Sequence, residues 1–195
     1  LADGKLANTF LSLDISKKGT DEFKWEILAD FPGVARLQPV VVAQNAAEGK
    51  HLFVFSGSSF PDEQDTPNVT TDGLEFNPKT GEWSKIAEIT PKGHQPFSLH
   101  GASEFPLGMN HILFVGGVNH DRFNNAWQKE RQGKLAIASG DTAAINQFKS
   151  WKRDYLSHEP DWYNFNKEVL VYHTITNSWT VGDEYPFPAP AGAKI

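Results

Sequence analysis

The sequence predicts an all-β fold made of four-stranded antiparallel blades, a β-propeller, with a helical insertion in one blade. Three observations carry that prediction. Short apolar, β-branched runs alternate with Gly/Pro-rich turns along most of the chain. The run His111–Val115 ends on the pair Gly116-Gly117, and Ser56-Gly57 stands at the same place after an earlier run. Phe76 and Trp83 are seven residues apart, as are Tyr172 and Trp179, and Trp25, Trp83 and Trp179 are each followed seven or eight residues later by a proline, Pro32, Pro91 and Pro186. Internal self-similarity of this kind marks a repeat architecture. Glycines let strand ends pass close together, and aromatics on outer strands pack between neighbouring blades. The glycine and aromatic positions make the repeat kelch-type.

The elements follow in order. Leu6–Leu13 reads as a strand and Phe23–Leu28 as its return. Phe31–Pro39 is a loop punctuated by Pro and Gly. Val40–Gln44 and Leu52–Phe55 form the next pair, and Gly73–Phe76 and Glu82–Ile86 a hairpin beyond the polar loop Ser58–Asp72. The cycle repeats with Phe97–Ser103 and His111–Val115, then the hairpin Val169–Trp179. Residues 1–30 are thus the outer strands of one blade, 31–90 a second blade, 91–185 a third, and 186–195 the start of another.

The third blade carries an insertion, residues 121–166. Asn125–Ala138 and Asp141–Ser157 read as helices, with Asp141 as an N-cap and Ile145, Phe148, Trp151 and Tyr155 on one stripe. It is either a packing element or a lid over a site.

Composition narrows the function. The 195 residues contain no cysteine, which excludes disulfides, thiolate metal sites and a cysteine nucleophile. A scattered net charge of −6 lacks the basic stripe a nucleic-acid surface needs. No apolar run is long enough for membrane insertion as a helix. The sequence opens on LADGKLANTF, without initiator methionine or signal peptide, and reads as a fragment or processed chain. A propeller closes with about four to eight blades. The complementary half is therefore expected from another chain or segment, and the chain alone is expected to fold poorly.

In a blade whose strands run antiparallel from the axis outward, the loops before the first strand and after the second lie on one face. That face receives all the long loops, so a ligand site is expected there, near the axis. Its candidates are Arg36, Gln38, His94, Gln95, Asn119, His120, Arg122, Tyr163 and Asn166. Arg36 suits either a substrate carboxylate or a salt bridge to a neighbouring loop. His120 suits either proton transfer near neutral pH or a structural hydrogen bond, and His94 has the same two readings. The histidines show no metal-ligand spacing, and no Ser–His–Asp set or phosphate loop is visible, so no metal and no cofactor are expected. Asn68-Val69-Thr70 fits the N-glycosylation pattern, and Asp62, Glu63 and Asp65 read as solvated surface.

The segments FPGVARLQP, HILFVGGVN, DWYNFNKEVLVYHTITNSW and PFPAPAGAKI resemble the N-acetylneuraminate epimerase (sialic acid mutarotase) family of kelch proteins, including its cyclically permuted relatives. The likeness runs from Gly4 to Ile195, and Ser56-Gly57 departs from the usual glycine pair. It implies a six-bladed propeller in the periplasm or secreted, with no cofactor, that interconverts anomers of a sialic acid-like sugar. It also implies a catalytic glutamate and arginine in a segment beyond Ile195. This chain would then line one side of the pocket with Arg36, Gln38, Asn119, His120, Tyr163 and Asn166, and would be inactive without its complement. The alternative is a non-catalytic kelch module that binds glycan or protein. A copper oxidase of the same architecture is set aside because its cross-linked Tyr–Cys centre needs a cysteine.

Overall fold

The computed structural model describes residues 5–60, 68–91, 96–187 and 191–192. Strands β1 (Leu11–Leu13) and β2 (Trp25–Ile27) pair alone. Strands β3 (Val40–Ala46), β4 (Gly49–Ser58), β5 (Val69–Asn77) and β6 (Glu82–Ile86) form one four-stranded antiparallel meander. Strands β7 (Ser103–Leu107), β8 (His111–Val115), β9 (Glu168–His173) and β10 (Ser178–Glu184) form another. Between β8 and β9 run helices α1 (His120–Ser139), α2 (Thr142–Tyr155) and α3 (Pro160–Tyr163). The described residues thus hold two complete blades and the outer pair of a third, with the helical insertion where the sequence places it.

The core lies between the two complete blades. Alternate residues of β4 point to opposite faces. Phe53 and Phe55 therefore meet Ile112, Phe114, Leu170 and Tyr172 of the next blade, all fully buried. Leu52 and Val54 point the other way, into an apolar groove shared with Phe10, Phe31 and Trp83. A strand with blades on both sides needs apolar residues on both faces, which is why KHLFVF reads as a continuous run.

The periodic tryptophans tie one blade to the next. Trp83 lies directly across from Phe76, and Trp179 from Tyr172. Trp83 Nε1 donates to the Ala29 carbonyl at 3.3 Å, and Trp179 Nε1 donates to the Ala87 carbonyl at 3.2 Å. Ala29 and Ala87 each stand four residues after a repeat tryptophan, Trp25 and Trp83, so the two clamps are equivalent. Asn177 completes the second clamp. Its Oδ1 accepts from Tyr172 Oη at 2.8 Å and from the Ala87 N–H at 2.7 Å. On the opposite face Gln44 Nε2 donates to the His111 carbonyl at 2.7 Å, and Thr174 Oγ1 donates to the Asn45 carbonyl at 2.5 Å.

Several boundaries differ from the sequence reading. Only Leu11–Leu13 of Leu6–Leu13 is strand; the preceding residues bond to the next loop, with Asn8 Nδ2 donating to the Gly33 carbonyl. Of the expected strand Phe97–Ser103, only Ser103 is strand, and a turn precedes it. Gly101 takes φ +70° and the Ala102 N–H bonds back to the Leu99 carbonyl, so β7 starts at Ser103. Pro106 is tolerated in β7 because this innermost strand pairs on one side only. Trp25 is not a core residue here. It is 64% exposed beside Ile27, because no described element covers that side of the β1–β2 pair. Helix α1 starts at His120, five residues before the predicted start, because Asn119 caps it by accepting from the Arg122 N–H at 3.1 Å. Asp141 caps α2 as expected, and the short α3 was not foreseen. Of the C-terminal segment 186–195, only Pro186, Phe187, Ala191 and Gly192 lie among the described residues.

Trp179→Phe removes the Nε1 donor and part of the ring that fills the space between blades. It should cost about 1–3 kcal/mol of stability. Trp25→Phe, at the equivalent but exposed position, should cost less than about 0.5 kcal/mol. Urea unfolding of the two variants checks this contrast.

Candidate functional site

The long connections gather on one face, and buried polar residues hold them together. Ser56 adopts φ +53° where the next blade has Gly116 at φ +79°. Its hydroxyl donates to the Thr70 carbonyl at 2.7 Å, accepts from the Leu99 N–H at 3.0 Å and lies 3.1 Å from Ser98 Oγ. The serine thus does what glycine does for the backbone and adds a link between blades. Asn166 ends the insertion. Its Nδ2 donates to the Ser98 carbonyl at 2.7 Å and its N–H to the Gly117 carbonyl at 3.1 Å. A Cβ on Gly117 would stand 3.1 Å from the Ser98 carbonyl oxygen and 3.3 Å from Asn166 Nδ2, so only glycine leaves this junction its spacing.

His100 sits beneath the same loops at 4% exposure. Its imidazole bonds to the Leu37 carbonyl and stacks on Phe123 of α1 at 4.9 Å, while Nδ1 has no partner among the described residues. Burial pushes its pKa down to about 4 and outweighs the Leu37 hydrogen bond, so the ring is neutral at neutral pH.

Beside this junction opens a cleft of about 400 Å³ walled by Phe97, Asn119, His120, Asn166, Lys167, Glu168 and Glu184. His120 Nδ1 lies 2.8 Å from Asp121 Oδ1, and the His120 side chain is 15% exposed. A carboxylate only accepts, so Nδ1 is the donor in this pair. The arrangement is a histidine oriented by a carboxylate, with a cation from Lys167 on the same wall. Glu168 and Glu184 face each other across β9 and β10. The cleft lies over these outer strands rather than over the axis, where the sequence reading put the site.

Of the expected site residues, Asn119, His120 and Asn166 come together here, and three others do not. Arg36 has 3% of its side chain exposed and forms a two-pronged ion pair with Asp72 at 2.6 and 2.9 Å. It also donates to the carbonyls of Val34 and Ser56 and to Thr70 Oγ1. Its carboxylate partner is therefore the chain's own, a correction to the substrate role. Burial raises the Asp72 carboxyl, but the Arg36 guanidinium outweighs that and holds it below the usual range. Tyr163 is likewise engaged within the insertion. Its hydroxyl donates to the Tyr155 carbonyl at 2.6 Å and its ring packs against Tyr155 and Trp162. Gln38 is exposed at the start of the innermost strand and does not line the cleft.

Arg122 stacks over Trp162 at 4.5 Å. His94, Gln95, Asp62, Glu63 and Asp65 lie outside the described residues. Asn68 is 1% exposed, with its Oδ1 accepting from Gln128 Nε2 at 2.5 Å, so the folded chain does not present it for glycosylation. The sequence reading missed Asp121, Lys167, Glu168 and Glu184. Asp121 was within reach, since it adjoins His120.

Comparison with known proteins agrees with this architecture. The solved structure of YjhT superposes with a TM-score of 0.73 at 27% identity, covering 95% of this chain and 48% of that one. A kelch domain-containing protein of Vibrio cholerae serotype O1 is 30% identical over 192 residues, 98% of this chain and 49% of its own length. The architecture is that of kelch-type β-propeller blades. The N-acetylneuraminate epimerase of Yersinia enterocolitica serotype O:8 is 31% identical over 193 residues, 98% of this chain and 44% of its own length. That of Pasteurella multocida is 31% identical over 187 residues, 95% of this chain and 43% of its own length. The family model for N-acetylneuraminate epimerase matches residues 3–195, and the chain belongs to that family. It spans about half the length of the curated relatives it matches.

His100 makes stability depend on pH. Between pH about 6.5 and about 4 the unfolded chain binds a proton that the folded chain does not, so stability rises with pH there. This contribution is fully present above pH about 6.5 and lost as pH falls toward about 4, in total about 3 kcal/mol. Urea midpoints at pH 7 and pH 5 should differ less for His100→Gln than for the unsubstituted protein; equal differences would contradict this.

Proposed function

We propose that this chain forms one side of a sugar mutarotase that interconverts the anomers of N-acetylneuraminate. Family membership and the names of the Yersinia and Pasteurella relatives support the substrate class. The observation that carries the chemistry is the His120–Asp121 pair on the wall of the loop-face cleft. A cleft of about 400 Å³ is within the size of small-molecule sites.

Mutarotation opens and recloses the sugar ring. A base takes the proton of the anomeric hydroxyl, the bond from the anomeric carbon to the ring oxygen breaks, and an acid protonates that oxygen. The open keto form then recloses on its other face with the proton transfers reversed. His120 Nε2 acts as the base, and Asp121 stabilises the imidazolium that forms. Lys167 faces the substrate carboxylate. The second acid/base group comes from the complementary part of the propeller, where the family resemblance puts a glutamate and an arginine. Six blades complete the ring in this reading, and the resemblance assigns it to the periplasm.

The test is exchange NMR of N-acetylneuraminate with the complete propeller. His120→Gln should slow protein-catalysed anomer exchange by about 100-fold or more while the urea midpoint stays within the range of surface substitutions. An exchange rate unaffected by the folded, unsubstituted protein would rule the reading out. Binding without exchange would point to the non-catalytic sugar-binding module instead.

A further inference from the structure

Five buried polar atoms beneath the root of α1 have no hydrogen-bond partner among the described residues: Ser58 Oγ, Ser59 Oγ, His100 Nδ1, Asn124 Oδ1 and Trp127 Nε1. They belong to one neighbourhood. The Ser58 N–H donates to the Leu37 carbonyl at 3.1 Å, and that carbonyl also accepts from the His100 imidazole. The Ser59 N–H donates to the Asn68 carbonyl at 2.7 Å, and Asn68 Oδ1 accepts from Gln128 of α1 at 2.5 Å. Phe123 of α1 sets its ring against both Trp127, at 5.7 Å, and His100. These contacts close a circuit from Leu37 through the end of β4 to α1 and back through His100. Asn124 stands on the same helix one turn before Gln128.

A buried polar atom without a protein partner destabilises the fold unless ordered water bonds to it. The donors and acceptors here match that ligand. His100 donates to Leu37 through Nε2, so its Nδ1 offers a lone pair. Asn124 Oδ1 is a second acceptor, Trp127 Nε1 only donates, and each serine hydroxyl does both. One water donates to His100 and Asn124 and accepts from Trp127 and a serine, which uses both its protons and both its lone pairs. The other serine calls for a second water beside it. Ser58 and Ser59 are fully buried and His100 nearly so, which keeps bulk solvent away. No carboxylate, lysine or arginine belongs to the set, and His100 is neutral at neutral pH, so the site suits a neutral ligand rather than an ion.

We propose that the space enclosed by the end of β4, His100 and the root of α1 is a water-binding site, holding about two ordered waters that join the insertion to both complete blades. It lies apart from the cleft walled by His120 and Lys167 and shares none of its lining residues. Water-selective NOE spectra of the isotope-labelled propeller at neutral pH should show a cross-peak between long-lived water and the Trp127 indole N–H. Ser58→Ala and Ser59→Ala each remove a ligand of that water. Each should lower the melting temperature by about 2–4 °C. Dry hydroxyls give the opposite result, because removing an unsatisfied buried group leaves the melting temperature unchanged or raises it. An indole without the cross-peak, or alanine variants as stable as the unsubstituted protein, overturns the inference.

Discussion

The structure depends on the hydrogen bonds from Trp83 and Trp179 to the chain of the preceding blade. A blade's two faces are apolar, and apolar sheets slide past one another with little directional preference. The Trp83–Ala29 and Trp179–Ala87 bonds remove that freedom. Each is worth about 1 kcal/mol net, but each also sets where a large ring is buried, and the ring carries most of the energy. Trp179 contacts Phe55, Phe114 and Tyr172, so one indole fixes four strands relative to one another. Stacking the blades in this register brings the loops of successive blades side by side on a single face.

That face is built from polar groups with little slack. Ser56, Ser98 and Asn166 are buried and bonded, and Arg36 with Asp72 closes the loop beneath them. In the proposed function the chemistry falls to a few groups at the edge of this scaffold. His120 occupies the first turn of α1 because Asn119 caps the helix there. The cap sets the backbone, the adjacent Asp121 sets the imidazole, and the cleft beside them is polar enough to take a sugar. The insertion thus contributes to the site through its root. Farther along, the helical hairpin is held mainly by its own contacts between Gly133 and Phe148 and by the ring cluster of Tyr155, Trp162 and Tyr163.

Sequence patterns showed the fold wherever the determinant was local or periodic. The seven-residue spacing of Phe76 with Trp83 and of Tyr172 with Trp179 is the hairpin register itself, so it could be read directly. The Asp141 cap was visible for the same reason. The strand misplaced at 97–103 depended on the left-handed turn at Gly101, which apolar periodicity does not report. For Arg36 the sequence does not decide between a substrate carboxylate and a salt bridge, because its partner Asp72 is 36 residues away on the third strand of its blade. The partners of Tyr163 and Asn68 lie on helices whose packing no local pattern reveals. The position of the cleft over the outer strands followed from where the insertion's two roots converge, a tertiary fact.

The central claim is that the loop face beside the root of α1 receives the sugar. The most direct measurement is a titration of N-acetylneuraminate into the isotope-labelled propeller, followed by backbone amide shifts. The account predicts saturable shifts at Asn119–Asp121 and at residues 164–168, with residues 108–111 on the opposite face unmoved. Shifts confined to the opposite face, or none at saturating sugar, would contradict it.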